Sequence, residues 1–325
     1  MKILIIGAGA IGTTYAKELG SVDNEITMLV RRNRLDEIAA DGIRIRCIDH
    51  RSGERVVTES MFHAEFIDRI PERRAFDLII VATPRTENAG VLSALSSSPN
   101  AGPVLFLQNN WAGIEEIGRY LPAARYLLGF PSIVGGGRRD GAVTVVMSPR
   151  GTTMLGEPDG ASTERLKRFR EVFRVAGLRP ATTSRIVPWL MTQYVQNASG
   201  IGLFLKYGSP REVVGDTERL DELVSVTREG LKVCSARGAY PLTTSPINRI
   251  FLPRIALIPR LKRIYAHEDE ISMLELHVES GRDEMIAGYR EILADGERLG
   301  VAMPEWSKNS NFIDRAVAEA AGLPR

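Results

Sequence analysis

Residues 1–19 read MKILIIGAGAIGTTYAKEL, and this stretch decides the fold. Lys2–Ile6 is a short apolar run of β-type residues, residues 7–12 spell G-x-G-x-x-G, and residues 13–19 suit a helix. Strand, glycine turn and helix come in the order that a dinucleotide-binding fingerprint needs. Gly7 permits the tight turn, Gly9 lets backbone approach a pyrophosphate, and Gly12 lets helix and strand pack closely. Ala8, Ala10 and Ile11 complete the turn, and the helix start offers free N–H groups and partial positive charge to phosphates. The plainer alternative is a glycine-rich strand–helix turn with no ligand.

The next β-type run, residues 25–30 (EITMLV), ends in Arg31-Arg32. NAD sites usually carry an acid here for the ribose hydroxyls, whereas arginine accommodates the 2′-phosphate of NADP. Guanidinium also suits phosphate in general. Arg31 and Arg32 therefore point to NADP (NADPH); the alternative is a solvated basic turn before a helix near residues 35–40.

The 325 residues allow two domains, and 44% hydrophobic with 25% charged residues is ordinary for a globular chain. A net charge of +2 gives no argument for nucleic acid or membrane partners. The two cysteines, Cys47 and Cys234, have no pair spacing and no neighbouring histidine, so a disulfide framework and a metal site are not expected. The apolar N-terminus gives way to glycines within a few residues and does not read as a signal peptide. No stretch approaches the roughly 18 apolar residues of a membrane span. The expected setting is the cytoplasm.

Strand-like and helix-like segments alternate through the first half. Strands are expected at 43–47, 55–58, 77–82, 104–108, 126–130, 143–147 and 153–155, and helices at 87–95, 114–120 and 161–176. The pattern argues for an α/β, Rossmann-type doubly wound domain over residues 1–184. After Ser184 β-branched runs disappear, and helices are expected at 188–207, 217–237, 245–265, 268–299 and 308–321. An all-helical domain over 185–325 follows, holding the substrate or a dimer contact.

GAGAIG, Arg31, LQNN at 107–110, RRDG at 138–141 and Trp189 together make the chain resemble the ketopantoate reductases (2-dehydropantoate 2-reductases). The resemblance runs from Lys2 to Pro304, specific at the N-terminal end and looser beyond. It implies hydride transfer from NADPH to a 2-oxo acid, a Rossmann domain joined to a helical domain like that of 6-phosphogluconate dehydrogenase, and a possible homodimer. It also implies that Gly7–Gly12 hold the phosphates and Arg31 the 2′-phosphate. Thr83 and the glycines around Gly136 would line the cofactor, and Asn109 would lie between nicotinamide and substrate. The family's catalytic lysine, two residues after the tryptophan, falls on Met191, and its two asparagines fall on Val195 and Ser199. The family lysine after the fourth strand falls near Pro84, with Arg85 beside it, while a family substrate serine is matched by Ser272.

Carbonyl reduction needs a group that stabilises or protonates the developing alkoxide, and methionine does neither. His277, Gly281, Glu284 and Gly288 recur at spacings of four, three and four, so they share one helical face. Two glycines beside a histidine and a glutamate suggest room for a ligand; close helix packing is the alternative. Tyr194 and Asn197 are further candidates, with Tyr194 equally readable as a core residue, and Arg85 suits a substrate carboxylate. The basic segment 254–263 reads as a helix end with snorkelling arginines rather than a membrane or nucleic-acid contact. The sequence thus describes an NADPH-dependent oxidoreductase acting on a small 2-oxo acid or related carbonyl. The alternatives are an imine or opine-type reductase and a non-catalytic dinucleotide sensor.

Overall fold

Ile3, Leu4 and Ile5 have no exposed surface, and the strand they form, β1 (Lys2–Ile6), lies within an eight-stranded sheet. A run that is apolar on both sides is what a parallel sheet covered on both faces requires. The computed structural model describes residues 1–72, 74–98 and 101–321. It divides into two compact units, Met1–Val187 and the chain from Pro188 onward.

In the first unit α1 (Ala10–Gly20), β2 (Glu25–Leu29) and α2 (Arg32–Asp41) follow β1. Next come β3 (Ile43–Asp49), β4 (Val56–Phe62), β5 (Glu65–Ile67), β6 (Leu78–Val81), α3 (Asn88–Ser96), β7 (Val104–Leu107) and α4 (Glu115–Gly118). The unit closes with β8 (Tyr126–Pro131), β9 (Val134–Arg139), β10 (Ala142–Met147), β11 (Thr153–Gly156), α5 (Glu164–Val175) and β12 (Pro180–Thr182). The main sheet runs β12-β11-β8-β7-β6-β1-β2-β5. It is parallel from β8 through β5, and β11 pairs antiparallel with β8. The chain order reverses beside β1, which makes the carboxyl ends around it a topological switch point.

A second sheet, β4-β3-β10-β9, was only partly legible. Alternating Ile43, Ile45 and Cys47 inside with Arg44 and Arg46 outside gives β3 the period of a half-buried strand. Strand β9 is absent from the expected strands because it contains Gly135-Gly136-Gly137, residues that weaken a strand unless backbone must come close. It packs along α1, and a Cβ on Gly136 would stand 2.2 Å from the Thr144 carbonyl oxygen of β10.

The helical elements continue with α6 (Ile186–Ala198), α7 (Ile201–Tyr207), α8 (Pro210–Gly215), α9 (Thr217–Ala236), α10 (Arg254–Ile264), α11 (Glu268–Arg298) and α12 (Pro304–Ala320). The single helix expected at 188–207 is two, broken at Ser199-Gly200. The one expected at 245–265 is a 3₁₀ turn at Ile247–Phe251 followed by α10, whose start follows Pro253. In the core of this unit Trp306 stacks on Tyr289 at 4.1 Å between ring centroids. Buried Glu229 on α9 accepts the backbone N–H groups of Glu305 (3.0 Å) and Trp306 (3.3 Å), capping the start of α12. Among the described residues no helix is long and apolar enough to cross a membrane, and no cluster has the makings of a metal site.

Candidate cofactor and catalytic site

The three glycines of the first turn occupy three different environments. Gly7 has φ +108°, a conformation side-chain-bearing residues rarely adopt, and lies against Ala82 and Thr83 after β6. A Cβ on Gly12 would stand 1.9 Å from the Gly7 carbonyl oxygen, so only glycine lets α1 lie this close to β1. Gly9 has nothing within 4 Å of where its Cβ would be, and its φ of −84° is open to any residue. Gly9 also caps α1 without any side-chain hydrogen bond, and no acidic residue stands in the first turn of that helix. A tight turn, an open approach and a close contact are what the fingerprint assigns to these positions, and the uncapped helix start favours an anion.

Four carboxyl ends gather around this turn, because β7, β6, β1 and β2 are neighbours in that order. Thr83 follows β6, where Gln108 binds it: Gln108 Nε2 donates to the Thr83 carbonyl (2.7 Å), to Thr83 Oγ1 (3.3 Å) and to Asn88 Oδ1 (2.9 Å). Asn109 is half-buried just beyond β7. Its neighbour Asn110 closes a turn through Gly113, accepting Gly113 N–H at 2.7 Å. Arg85 forms an ion pair with Glu116 at 3.4 Å.

Arg31 and Arg32 do not stand open at the end of β2. Arg31 pairs with Glu87 at 2.7 Å and Arg32 with Asp68 at 2.8 Å, both largely exposed arginines. Glu87 follows β6 and Arg31 follows β2, with β1 between these strands. The Arg31–Glu87 pair therefore crosses the strand end from which the glycine turn rises. A third guanidinium, to which the sequence reading gave no role, arrives from the second sheet: Arg138 Nη2 donates to the Ala8 carbonyl at 3.3 Å. The glycine run before it was the available signal, since such a run in a strand marks close backbone approach.

In the helical unit, the positions that match the family lysine and asparagines are packing positions. Met191 is 5% exposed and its carbonyl accepts the Cys234 thiol of α9 at 3.6 Å. Val195 Cγ1 stands 2.7 Å from where a Gly230 Cβ would be, and Ser199 Oγ lies 3.0 Å from Thr227 Oγ1. All three thus belong to the seam between α6 and α9. Tyr194, on another stripe of α6, donates its hydroxyl to Glu291 of α11 at 2.7 Å. Asn197 is half-buried at the second-last position of α6, and Ser272 bonds back to Glu268 at 3.3 Å.

The two glycines of the α11 face separate into two roles. A Cβ on Gly288 would meet the Tyr194 ring at 3.1 Å and Ala198 at 3.3 Å, so this glycine serves helix packing. At Gly281 a Cβ would touch only the edge of the His277 ring, at 4.0 Å. His277 Nε2 is buried without a hydrogen-bond partner among the described residues. Burial holds its pKa below the ordinary histidine value, so it is neutral at pH 7, not the imidazolium that an unperturbed titration near neutrality would allow. His277 and Glu284 are seven residues apart, about 10 Å along the helix axis, with Gly281 between them.

A mostly parallel sheet with a glycine turn at its switch point, followed by a helical unit, is a dinucleotide-fold architecture. The family model "Ketopantoate reductase PanE/ApbA" matches residues 3–160. The chain is 28% identical over 247 residues to the 2-dehydropantoate 2-reductase of Pyrococcus horikoshii, covering 73% of this chain and 75% of the relative. It is 25% identical over 332 residues to that of Aquifex aeolicus, covering 98% and 96%. A structure of D-mandelate dehydrogenase with NADH and anilino(oxo)acetate shares the fold, with TM-score 0.73, 16% identity and 100% of both chains covered. Residues 3–160 thus match a ketopantoate reductase domain, and the chain is similar to reductases of that family.

Proposed function

We propose that this protein is an NADPH-dependent reductase of a small 2-oxo acid or related carbonyl other than ketopantoate. The glycine turn carries the cofactor half of this reading, because its open Gly9 and close-packed Gly7 and Gly12 leave a cradle that a Cβ at any of the three would alter. Gly7, Ala8, Gly9, Ala10, Ile11 and Gly12 would hold the pyrophosphate, Arg31 and Arg32 the 2′-phosphate, and Thr83, Asn109 and Gly136 the rest of the dinucleotide. Bound there, the dinucleotide supplies a hydride to the substrate carbonyl.

His277 serves the carbonyl oxygen. A neutral imidazole whose Nε2 lacks a partner can offer an N–H to a developing alkoxide without first losing a protein hydrogen bond. Glu284, two turns on along the same helical face, is the second polar group assigned to this site. Tyr194 holds α6 to α11 through Glu291, which keeps the face bearing His277 in place. Asn197, Ser272 and Arg85 are the polar groups for the substrate carboxylate and its neighbours. Excluding ketopantoate rests on Met191, Val195 and Ser199, whose packing against α9 leaves no ammonium or amides at those positions. The D-mandelate dehydrogenase of this fold, solved with NADH and anilino(oxo)acetate, supports a substrate other than ketopantoate.

The test is a panel of 2-oxo acids and imines assayed with NADPH. The expected outcome is turnover of at least one 2-oxo acid, with ketopantoate about 100-fold poorer, since losing one general acid removes 10²–10⁴ in rate. His277→Gln and Glu284→Gln should each lower kcat by at least about tenfold while leaving NADPH affinity within twofold. Ordinary ketopantoate turnover overturns the substrate assignment, and full activity of both variants overturns the roles on α11.

A further inference from the structure

Two sides of helix α6 are taken up by packing. Met191, Val195 and Ser199 lie in the seam with α9, while Tyr194 and Ala198 meet α11 at Gly288 and Glu291. A further stripe carries Trp189, Gln193 and Asn197, each four residues from the next and therefore on one face. Gln193 stands about 200° round the helix from Val195, on the far side from the α9 seam. Its neighbour on the stripe, Trp189, donates its indole N–H to the Ser245 carbonyl at 2.9 Å. Gln193 is only 6% exposed, yet its Nε2 is buried without a hydrogen-bond partner among the described residues. No other buried side-chain atom of α6 is in that condition among them.

A side-chain amide nitrogen carries two N–H donors, and taking them out of water unmatched is unfavourable. A leucine of similar size would fill the position without that cost, so the amide calls for an acceptor that the protein itself does not provide. We infer that Gln193 is a specificity-determining residue whose Nε2 donates to the carboxylate of the 2-oxo acid substrate. The polar stripe of α6 is then Gln193 with Asn197, in place of the packed positions 191, 195 and 199. This role rests on the 2-oxo acid reading above. A carboxylate is the acceptor such a donor favours most, because hydrogen bonds to an ionised group are about twice as strong as neutral ones. An amide also makes that bond without burying a cation in the absence of substrate.

The experiment measures steady-state kinetics with NADPH on the full-length wild type, Gln193→Leu and Gln193→Glu. The substrates are the 2-oxo acid that the wild type reduces best and the methyl ester of that acid, with thermal unfolding of each protein alongside. Gln193→Leu should raise KM for the acid at least about tenfold and for the ester no more than about threefold, because only the acid offers an ionised acceptor. It should leave NADPH affinity within about twofold and melt no lower than wild type, since the unmatched donor is gone. Gln193→Glu should raise KM for the acid further through like-charge repulsion. Equal changes for acid and ester in Gln193→Leu, or none, overturn the assignment while the 2-oxo acid reading stands. If the wild type reduces no 2-oxo acid, that reading fails and this role with it. Should Gln193→Leu not fold, Gln193→Glu decides, equal losses of acid and ester counting against the proposal.

Discussion

Replacing Gly9 and Gly12 separately by alanine distinguishes a ligand cradle from a turn that merely packs. At Gly12 the new Cβ would stand 1.9 Å from the Gly7 carbonyl oxygen and 3.0 Å from its carbon, both backbone atoms that cannot rotate away. Helix α1 must shift by more than 1 Å to restore van der Waals contact, the kind of overpacking that costs about 1–3 kcal/mol. Gly12→Ala should therefore lower stability measurably and weaken NADPH together. At Gly9 the same methyl meets nothing within 4 Å, on a backbone with φ −84°. Stability should hold, or rise by about 0.4–1 kcal/mol through the unfolded chain. If a pyrophosphate lies against that backbone, however, the methyl occupies its path, and a displacement of roughly 1 Å costs about 100-fold in precise complexes. Thermal unfolding and fluorescence titration of NADPH on the same preparations give both numbers. A Gly9→Ala protein with unchanged melting and NADPH affinity within twofold of wild type would refute the cradle, leaving the glycines a packing device.

Other outcomes follow from the same geometry. Arg31→Ala should narrow the preference for NADPH over NADH, and Glu87→Gln should tighten NADPH by up to about fivefold, since an exposed pair is worth at most about 1 kcal/mol; titration of both cofactors measures it, and no change in either variant removes Arg31 from the site. The pKa of His277 is lowered by burial from 6.5, so below about pH 6.5 the unfolded chain binds a proton that the folded one refuses. Stability should fall as pH drops through that window, His277→Gln should flatten the fall, and parallel melting curves of the two proteins between pH 7.5 and 5.5, values on the order of the histidine range, would contradict it. Gly288→Ala should destabilise by crowding Tyr194, whereas Gly281→Ala should stabilise α11 by about 1 kcal/mol yet raise KM; a Gly281→Ala enzyme with normal KM would remove Gly281 from the proposed site.

The glycine turn was legible because its signal is local: residues 2–20 carry strand, turn and helix in one continuous stretch, and the structure needs Gly7 for its positive φ and Gly12 for close packing while leaving Gly9 open. Strand β9 was not, because a Gly-Gly-Gly run lacks the β-branched side chains that mark a strand, and its place against α1 is a long-range fact. The same applies to Glu87 and Arg138: each lies far in sequence from the partner that gives it meaning, Arg31 and Ala8. Within the helical unit, the 268–299 helix was plain from periodicity and lack of breakers, whereas the 188–207 helix was read through Ser199-Gly200. The face of α11 could be drawn from spacing alone, but its two glycines are alike in sequence and differ only in what stands opposite them.

That difference bears on how a chain without the family lysine can still handle a carbonyl. The stripe Met191, Val195, Ser199 is consumed in the seam with α9, and restoring a lysine at position 191, which is 5% exposed, would bury an ammonium at substantial desolvation cost. Polar chemistry in this unit has to come from a stripe that is not sealed. On α11 a Cβ at Gly288 would crowd Tyr194, whereas one at Gly281 would meet only the edge of the His277 ring within 4 Å. With about 10 Å of helix between His277 and Glu284, and side chains on a helix leaning toward its N-terminus, the two groups do not meet. The buried, partnerless Nε2 of His277 is the one polar atom in this stretch whose cost is unexplained by the protein alone, and a bound carbonyl oxygen would account for it.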